Sequence, residues 1–152
     1  MDSLRAWFSD DGDGTGELKV RAEAGGFAAL GAAYFGLEEL LRFCEAIGSF
    51  PLPEGDARLN IQGGFWSQEQ HGQIKQEHLG INVYFADAAR GYIGIQVRAA
   101  TPVWPHTRPN SKMMATVEVV TTYEPLARFA RALKMVLQGK AKEAVLEGQA
   151  IA

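Results

Sequence analysis

The chain has little cysteine, no long apolar run and no excess of basic residues. Its 152 residues include a single cysteine, Cys44, so an intramolecular disulfide is excluded and a reducing compartment is expected. The longest uncharged run, from Ala24 to Leu37, falls short of the roughly 20 residues that a membrane-spanning helix needs. The first residues also lack the basic and apolar regions of a signal peptide. We therefore expect a soluble, cytoplasmic protein with no membrane partner.

Basic residues are too few for a nucleic-acid surface. Lys and Arg total 15 against 18 Asp and Glu, which gives a net charge of −3. A protein that binds a phosphate backbone needs a surplus of positive charge on one face, so we expect no nucleic-acid partner. The apolar fraction of 47% and the charged fraction of 22% are typical of one ordinary globular domain.

Signals for a metal, a cofactor or a catalytic nucleophile are weak. The histidines are His71, His78 and His106. None of them has the spacing of a zinc site, and Cys44 lies on an apolar helix stripe rather than in an exposed, electropositive setting. The run Asp11 to Gly16 places oxygen ligands at alternate positions, as a calcium loop does, but the twelfth position is Ala22 where a bidentate Glu is needed. A solvated turn is the preferred interpretation, and we predict no metal, no cofactor and no catalytic residue.

Two amphipathic helices are predicted. The first begins at about Leu37 with Gly36 as its cap, and it ends at Gly48 before Pro51. The second begins at Tyr123 and carries an apolar stripe of the same spacing. Both helices contain the pattern Leu-x-Arg-Phe-x-x-Ala followed by Ile or Leu. This likeness indicates either an internal duplication or the convergence of two helices that dock on one sheet, and convergence is the preferred interpretation.

Most of the remaining chain predicts antiparallel strands. Strand-like segments fall at about 17–24, 27–35, 57–62, 78–85, 92–98 and 112–122. Residues 1–16 are predicted to be a flexible lead-in to a single α+β domain over residues 17–152, and residues 141–146 a short helical piece. The fold expected is one antiparallel β-sheet with two amphipathic helices packed on one face. Its other face is then left to solvent or to a partner.

Two groups of residues are candidates for function. Alternation places one group on the open face of the sheet: His78, Asn82, Tyr84, Tyr92, Gln96, Arg98 and Glu118. The second group lies in loops: Trp66, Trp104, His106 and Arg108. Large aromatic residues and Arg on proline-stiffened loops are typical of protein interfaces, although a loop Trp can equally cover the core. The polar face can likewise be solvated surface or a binding surface.

The pattern resembles a group of small bacterial α+β proteins, some of which are immunity proteins encoded beside polymorphic toxins. The resemblance covers about residues 17–148. It is carried by Tyr34-Phe35, by GLEELLRF from Gly36 to Phe43, by the stop at Phe50-Pro51, by the hairpin LGINVYF and RGYIGIQVR, and by YEPLARFARAL. It implies an acidic, non-enzymatic binder of another protein, and it assigns no functional residue.

The expected function is therefore a protein-binding module that neutralises a partner protein, such as a toxin, by occlusion. The residues expected to bind the partner are Trp66, Trp104, His106, Arg108, Tyr84, Tyr92 and Arg98. The alternative is a small-molecule binder or an enzyme that uses the polar face, in particular His78, Asn82, Gln96 and Glu118. A deep pocket on that face would favour the alternative, and a flat face beside exposed tryptophans would favour protein binding.

Overall fold

The computed structural model describes residues 1–151, which form eight strands and two helices in two antiparallel sheets. The strands are β1 (Ser3–Asp10), β2 (Thr15–Ala24), β3 (Phe27–Gly36), β4 (Asn60–Trp66), β5 (Ile74–Asp87), β6 (Tyr92–Ala100), β7 (Met114–Thr121) and β8 (Ala144–Glu147), and the helices are α1 (Leu37–Ile47) and α2 (Tyr123–Leu137). The first sheet has the strand order β3-β2-β1-β8 and the second β4-β5-β6-β7. The α+β class is confirmed, but the prediction of a single sheet is wrong.

Two short segments differ from the prediction. Residues 3–10, predicted to be a flexible lead-in, form β1, which pairs with β2 on one side and β8 on the other. Its residues Leu4 and Ala6 are buried, and the Asp/Gly run that follows is the β1–β2 turn, with positive φ at Gly12 and Gly14. The segment predicted as a helical piece at 141–146 contributes β8 instead. Pairing with a distant strand decides both cases, and short local patterns do not reveal it.

Both helices begin where the sequence predicts. Gly36 caps α1 in an extended conformation, and Glu38 and Glu39 lie in its first turn, where the positive end of the helix dipole favours acidic side chains. Helix α2 begins at Tyr123 directly after β7. The two helices pack on each other, and each is also in contact with the first sheet.

The core lies between the two sheets and the two helices. Side chains from both sheets and both helices surround a small interior space: Leu4, Ala6, Leu18, Val20, Phe43, Ile47, Ile81, Val83, Ile95, Phe129 and Leu133. The helices thus share one interior space with side chains of both sheets, rather than covering one face of a single sheet. Strand β3 contacts all four strands of the second sheet, so it crosses them. Gly31 permits this close crossing, because a Cβ there would lie 2.9 Å from both the Ala99 Cβ and the His78 carbonyl oxygen.

The chain contains the same order of elements twice. Strands β1, β2 and β3 form a meander that is followed by α1 and then β4, and β5, β6 and β7 form a meander that is followed by α2 and then β8. In each half the strand after the helix joins the other sheet, since β4 pairs with β5 and β8 pairs with β1. Convergence of two docked helices does not require this matching exchange of strands, so the topology favours duplication.

Candidate protein-binding surface

The outward face of the second sheet carries polar side chains in register across its four strands. Asn60 lies opposite Asn82, Asn82 opposite Gln96, and Gln96 opposite Glu118. These strands alternate buried apolar residues on the inner side with polar residues on the outer side, which is why one row of polar groups crosses the whole sheet. Asn82 and Gln96 remain partly exposed and Glu118 is exposed, so the predicted open face exists.

Arg98 is the centre of a hydrogen-bonded group on this face. Its Nε and Nη2 atoms donate to the two carboxylate oxygens of Glu77 at 2.7 and 3.0 Å, and its Nη1 donates to the Gln96 Oε1 at 3.0 Å. The side-chain amide of Asn82 is oriented so that both its nitrogen and its oxygen have hydrogen-bond partners. In this orientation the Asn82 oxygen accepts from the Arg98 Nη1 at 2.9 Å. The pair with Glu77 raises the pKa of Arg98. A bidentate Arg–carboxylate pair is a rigid one, so Arg98 is held in place and is not a free side chain.

Tyr84 and Glu118 form a second group. The Tyr84 hydroxyl donates to the Glu118 Oε2, and the tyrosine ring lies over Gly94, where a Cβ would come within 2.7 Å of the ring. Burial and the neighbouring Glu118 raise the pKa of Tyr84, so the phenol stays protonated at neutral pH and acts as a donor. In the same way the Arg98–Glu77 pair lies over Gly80. The two glycines let these side chains lie flat on the sheet.

His78 does not belong to this face. It is only 5% exposed, its ring lies edge-on to Phe65 with centroids 4.5 Å apart, and its Nε2 is 3.1 Å from the Gln76 Oε1. The cause is an irregularity in the pairing of β4 with β5, where Gly63 lies opposite Leu79 but Gly64 lies opposite Glu77. Such a bulge changes the alternation beyond it. The expectation of an outward-facing His78 is therefore wrong, and burial lowers its pKa.

Trp66 and Trp104 both line one groove at an end of the second sheet. Trp66 ends β4, and Trp104 lies in the loop between β6 and β7; they are 46% and 51% exposed. The groove has a volume of about 590 Å³. Its lining residues are Phe65, Trp66, Ser67, Gln68, Glu69, Lys75, Gln76, Val103, Trp104 and Pro105. Neither indole is sealed into the core.

Hydrogen bonds and a ring contact hold the walls of this groove. The Phe65 ring packs on Trp104 with centroids 4.8 Å apart. Gln76 fixes the loop to β5, because its Nε2 donates to the Val103 carbonyl at 2.8 Å and its Oε1 accepts from the Val103 N–H at 3.0 Å. The Trp104 N–H donates to the Thr107 hydroxyl at 2.7 Å. The loop that carries Trp104 is thus bonded at several points.

The structure does not bring all of the predicted residues together. His106 and Arg108 are exposed in the same loop as Trp104 but do not line the groove. Tyr92 lies at the start of β6, where the Arg90 guanidinium carbon is 5.3 Å from the centre of its ring. Phe65, Gln76 and Glu77 were not predicted. Phe65 is adjacent to Trp66 in the sequence, but the roles of Gln76 and Glu77 depend on the bulge at Gly63 and Gly64, for which this glycine pair is a local signal.

Metal binding, thiol reactivity and membrane spanning have little structural support within residues 1–151. Within residues 1–151 no group of three His, Cys, Asp or Glu side chains is arranged to hold a metal ion. The Asp13 carboxylate accepts from the Thr15 N–H and hydroxyl, as in a closed turn. Burial raises the pKa of Cys44 to about 12, so its thiol is not a thiolate at neutral pH. No helix in residues 1–151 has the length and apolarity needed to cross a membrane.

Comparison of this chain with family models, with curated proteins and with solved structures gives no match.

Proposed function

We propose that this chain is a non-catalytic protein-binding module that occludes a surface of a partner protein, as the immunity proteins it resembles do for their toxins. The observation that carries the proposal is the groove that Trp66 and Trp104 both line. Both indoles are about half exposed, although they lie on separate segments that meet only in the folded chain. Tryptophans that frame a concave surface are typical of interface hot spots.

The groove is fixed before any partner arrives. Gln76 bonds the loop of Trp104 to β5, and Phe65 supports the Trp104 ring from the side. A surface that is already ordered loses less conformational entropy on binding than a mobile loop does. The structural contacts therefore serve the partner-binding role that we assign to the two tryptophans.

The polar face beside the groove has the character of an interface rim. Its side chains are hydrogen-bonded to one another, and they lie flat over Gly80 and Gly94, so they offer a level polar surface rather than a concave site for a small molecule. Gln76 lines the groove and Glu77, the next residue, bonds Arg98, so β5 contributes to both the groove and the polar face. An apolar centre with a polar edge is the usual arrangement of a protein interface.

The test is a titration against the polypeptide encoded beside this chain in its native genome, by calorimetry. We expect Trp66→Ala and Trp104→Ala each to weaken binding by about 30-fold or more, which corresponds to a hot-spot loss of roughly 2 kcal/mol. The matched control is Trp7→Ala, because Trp7 lies on the first sheet with its Nε1 donating to Glu143. Equal effects of all three substitutions, or a neighbour that does not bind, would count against the proposal.

A further inference from the structure

Strand β3 is an edge of the first sheet with one side unpaired. It pairs with β2 over its whole length, from Phe27 opposite Ala24 to Gly36 opposite Thr15. Apart from these ladder bonds and the first bonds of α1, for which Gly36 is the cap, no hydrogen bond within residues 1–151 involves residues 27–36. A row of backbone donors and acceptors therefore faces outward along the strand.

The register identifies the unpaired groups. At the end of the β2–β3 ladder the Leu37 N–H donates to the Gly14 carbonyl, and Leu37 and Gly14 lie opposite each other in the same register. In an antiparallel pair every second residue bonds the partner strand and the residues between point both backbone groups away. The odd-numbered residues of β3 thus bond β2. The N–H and C=O groups of Ala28, Leu30, Ala32 and Tyr34 point outward.

This edge lacks the usual protection. Edge strands of β-sheets are commonly protected by charged side chains or proline. The sequence of β3, FAALGAAYFG, contains neither. Within residues 1–151, five of the twelve exposed large hydrophobic residues lie on β3 or at the nearby start of β7: Phe27, Leu30, Tyr34, Met113 and Met114. Phe27 alone is 75% exposed. An apolar surface of this kind marks an interaction site.

A groove runs along the unpaired edge. Its volume is about 430 Å³, with residues 28–32 of β3 on one side and residues 99–102 and 113–115 of the second sheet on the other. The segment from Thr101 to Pro105 lines two grooves, since Thr101 and Pro102 border this one and Val103 to Pro105 border the tryptophan groove. The unpaired edge is therefore continuous with the surface proposed to bind the partner.

We propose that β3 accepts an extended segment of the partner protein as an added strand of the first sheet. The outward N–H and C=O groups specify the occupant, because only an extended polypeptide presents donors and acceptors at the matching repeat. Residues 99–102 and 113–115 lie beside β3 and leave a groove of only about 430 Å³, which favours a single extended segment over a folded second copy of this chain. That the segment comes from the partner rests on the proposed function.

The groove also defines the chemistry of the segment. Of the residues that line it, Glu17 is the only charged one, and Ala28, Ala32, Ala99 and Ala115 leave room for the side chains of an added strand. The segment is thus uncharged or carries a basic residue near Glu17, with β-branched or aromatic residues toward the alanines. The stretch 28–32 accommodates about five residues at roughly 3.3 Å each.

The test uses random twelve-residue peptides displayed on phage and selected on the wild-type chain, with the selected peptides then synthesised. Ala32→Pro removes one outward N–H without removing a bond to β2, and edge strands tolerate proline at such positions. Ala32→Thr is the matched control, because it keeps the N–H. We expect Ala32→Pro to weaken peptide binding at least tenfold and Ala32→Thr to change it less than threefold. In the wild-type complex, the amides of Leu30, Ala32 and Tyr34 should become protected from hydrogen exchange.

Each remaining outcome overturns the proposal. The proposal fails if selection yields no peptide above background. It also fails if a selected peptide binds Ala32→Pro as tightly as wild type, or if it leaves the β3 amides unprotected. The amide measurement on wild type decides the matter if Ala32→Pro does not fold. Failure here is separable from failure of the proposed function: binding of the genomic neighbour that is lost in Trp66→Ala but unchanged in Ala32→Pro would refute the added strand alone.

Discussion

Strands β3 and β7 occupy equivalent places in the two halves of the chain, and their outer edges differ. Each is the third strand of its meander, leads into a helix and forms an edge of its sheet. The edge of β7 carries Glu118, and the Gln149 N–H from the chain end donates to its Val120 carbonyl at 2.9 Å. The edge of β3 has no charge and no such bond. If the halves arose by duplication, one edge has become protected and the other has stayed open.

The equivalence of the halves is tested most strongly in the core. Phe43 of α1 and Phe129 of α2 occupy the same position in the repeated helix pattern, and both are almost fully buried. We expect Phe43→Ala and Phe129→Ala each to lower the free energy of unfolding by about 3–5 kcal/mol, because each leaves a cavity between the sheets. Urea denaturation measures both. A loss below about 1 kcal/mol in one of them would show that the halves do not share the core equally.

The crossing of β3 over the second sheet should tolerate little added volume. A Cβ at Gly31 would lie 2.9 Å from the Ala99 Cβ and the His78 carbonyl, so Gly31→Ala should cost about 1–3 kcal/mol through overpacking. The control is Ala32→Val on the same strand, whose side chain points outward and should change stability by less than about 0.5 kcal/mol. Thermal unfolding of both variants measures the difference. Equal stabilities would mean that β3 does not press on the second sheet.

The outer faces of the two sheets also carry unequal ion pairs. The side chains of Arg98 on β6 and Glu77 on the neighbouring β5 are 30% and 25% exposed, whereas those of Arg21 and Glu23, on the equivalent strand β2, are each 40% exposed. We expect Arg98→Ala to cost about 1–3 kcal/mol, since it leaves the Glu77 carboxylate without its partner, and Arg21→Ala to cost less than about 0.5 kcal/mol. Chemical denaturation at low and high salt tests this. Similar losses for both would remove the distinction between the two faces.

How far the sequence predicts this molecule depends on the range of the interactions. The starts of α1 and α2 and the alternation of Leu18, Val20 and Ala22 follow from residues within a few positions of each other, and they were predicted. The pairing of β1 with β8 joins residues more than a hundred positions apart, and nothing local specifies it. The same limit applies to the site, where both tryptophans were predicted to lie in loops, but Trp66 ends β4, and the bulge that buries His78 was not predicted.

His78 gives the smallest expected effect. Because burial lowers its pKa in the folded chain, the unfolded chain binds its proton more readily. The contribution of His78 to stability is therefore constant above the unfolded pKa of about 6.5 and is lost as pH falls below it. We expect the slope to be at most about 1.4 kcal/mol per pH unit and to disappear in His78→Gln. Urea titrations between pH 7 and 5 measure it, and an unchanged slope in the variant would contradict the assignment.

The most direct test of the open edge is amide hydrogen exchange of the isolated chain, followed by nuclear magnetic resonance. The amides of Leu30, Ala32 and Tyr34 should exchange rapidly, while those of Gly31, Ala33 and Phe35 are protected by their bonds to β2. This alternation along one strand is the predicted result. Uniform protection of the whole of β3 in the monomeric chain would show that its outer side is already paired, and it would contradict the account.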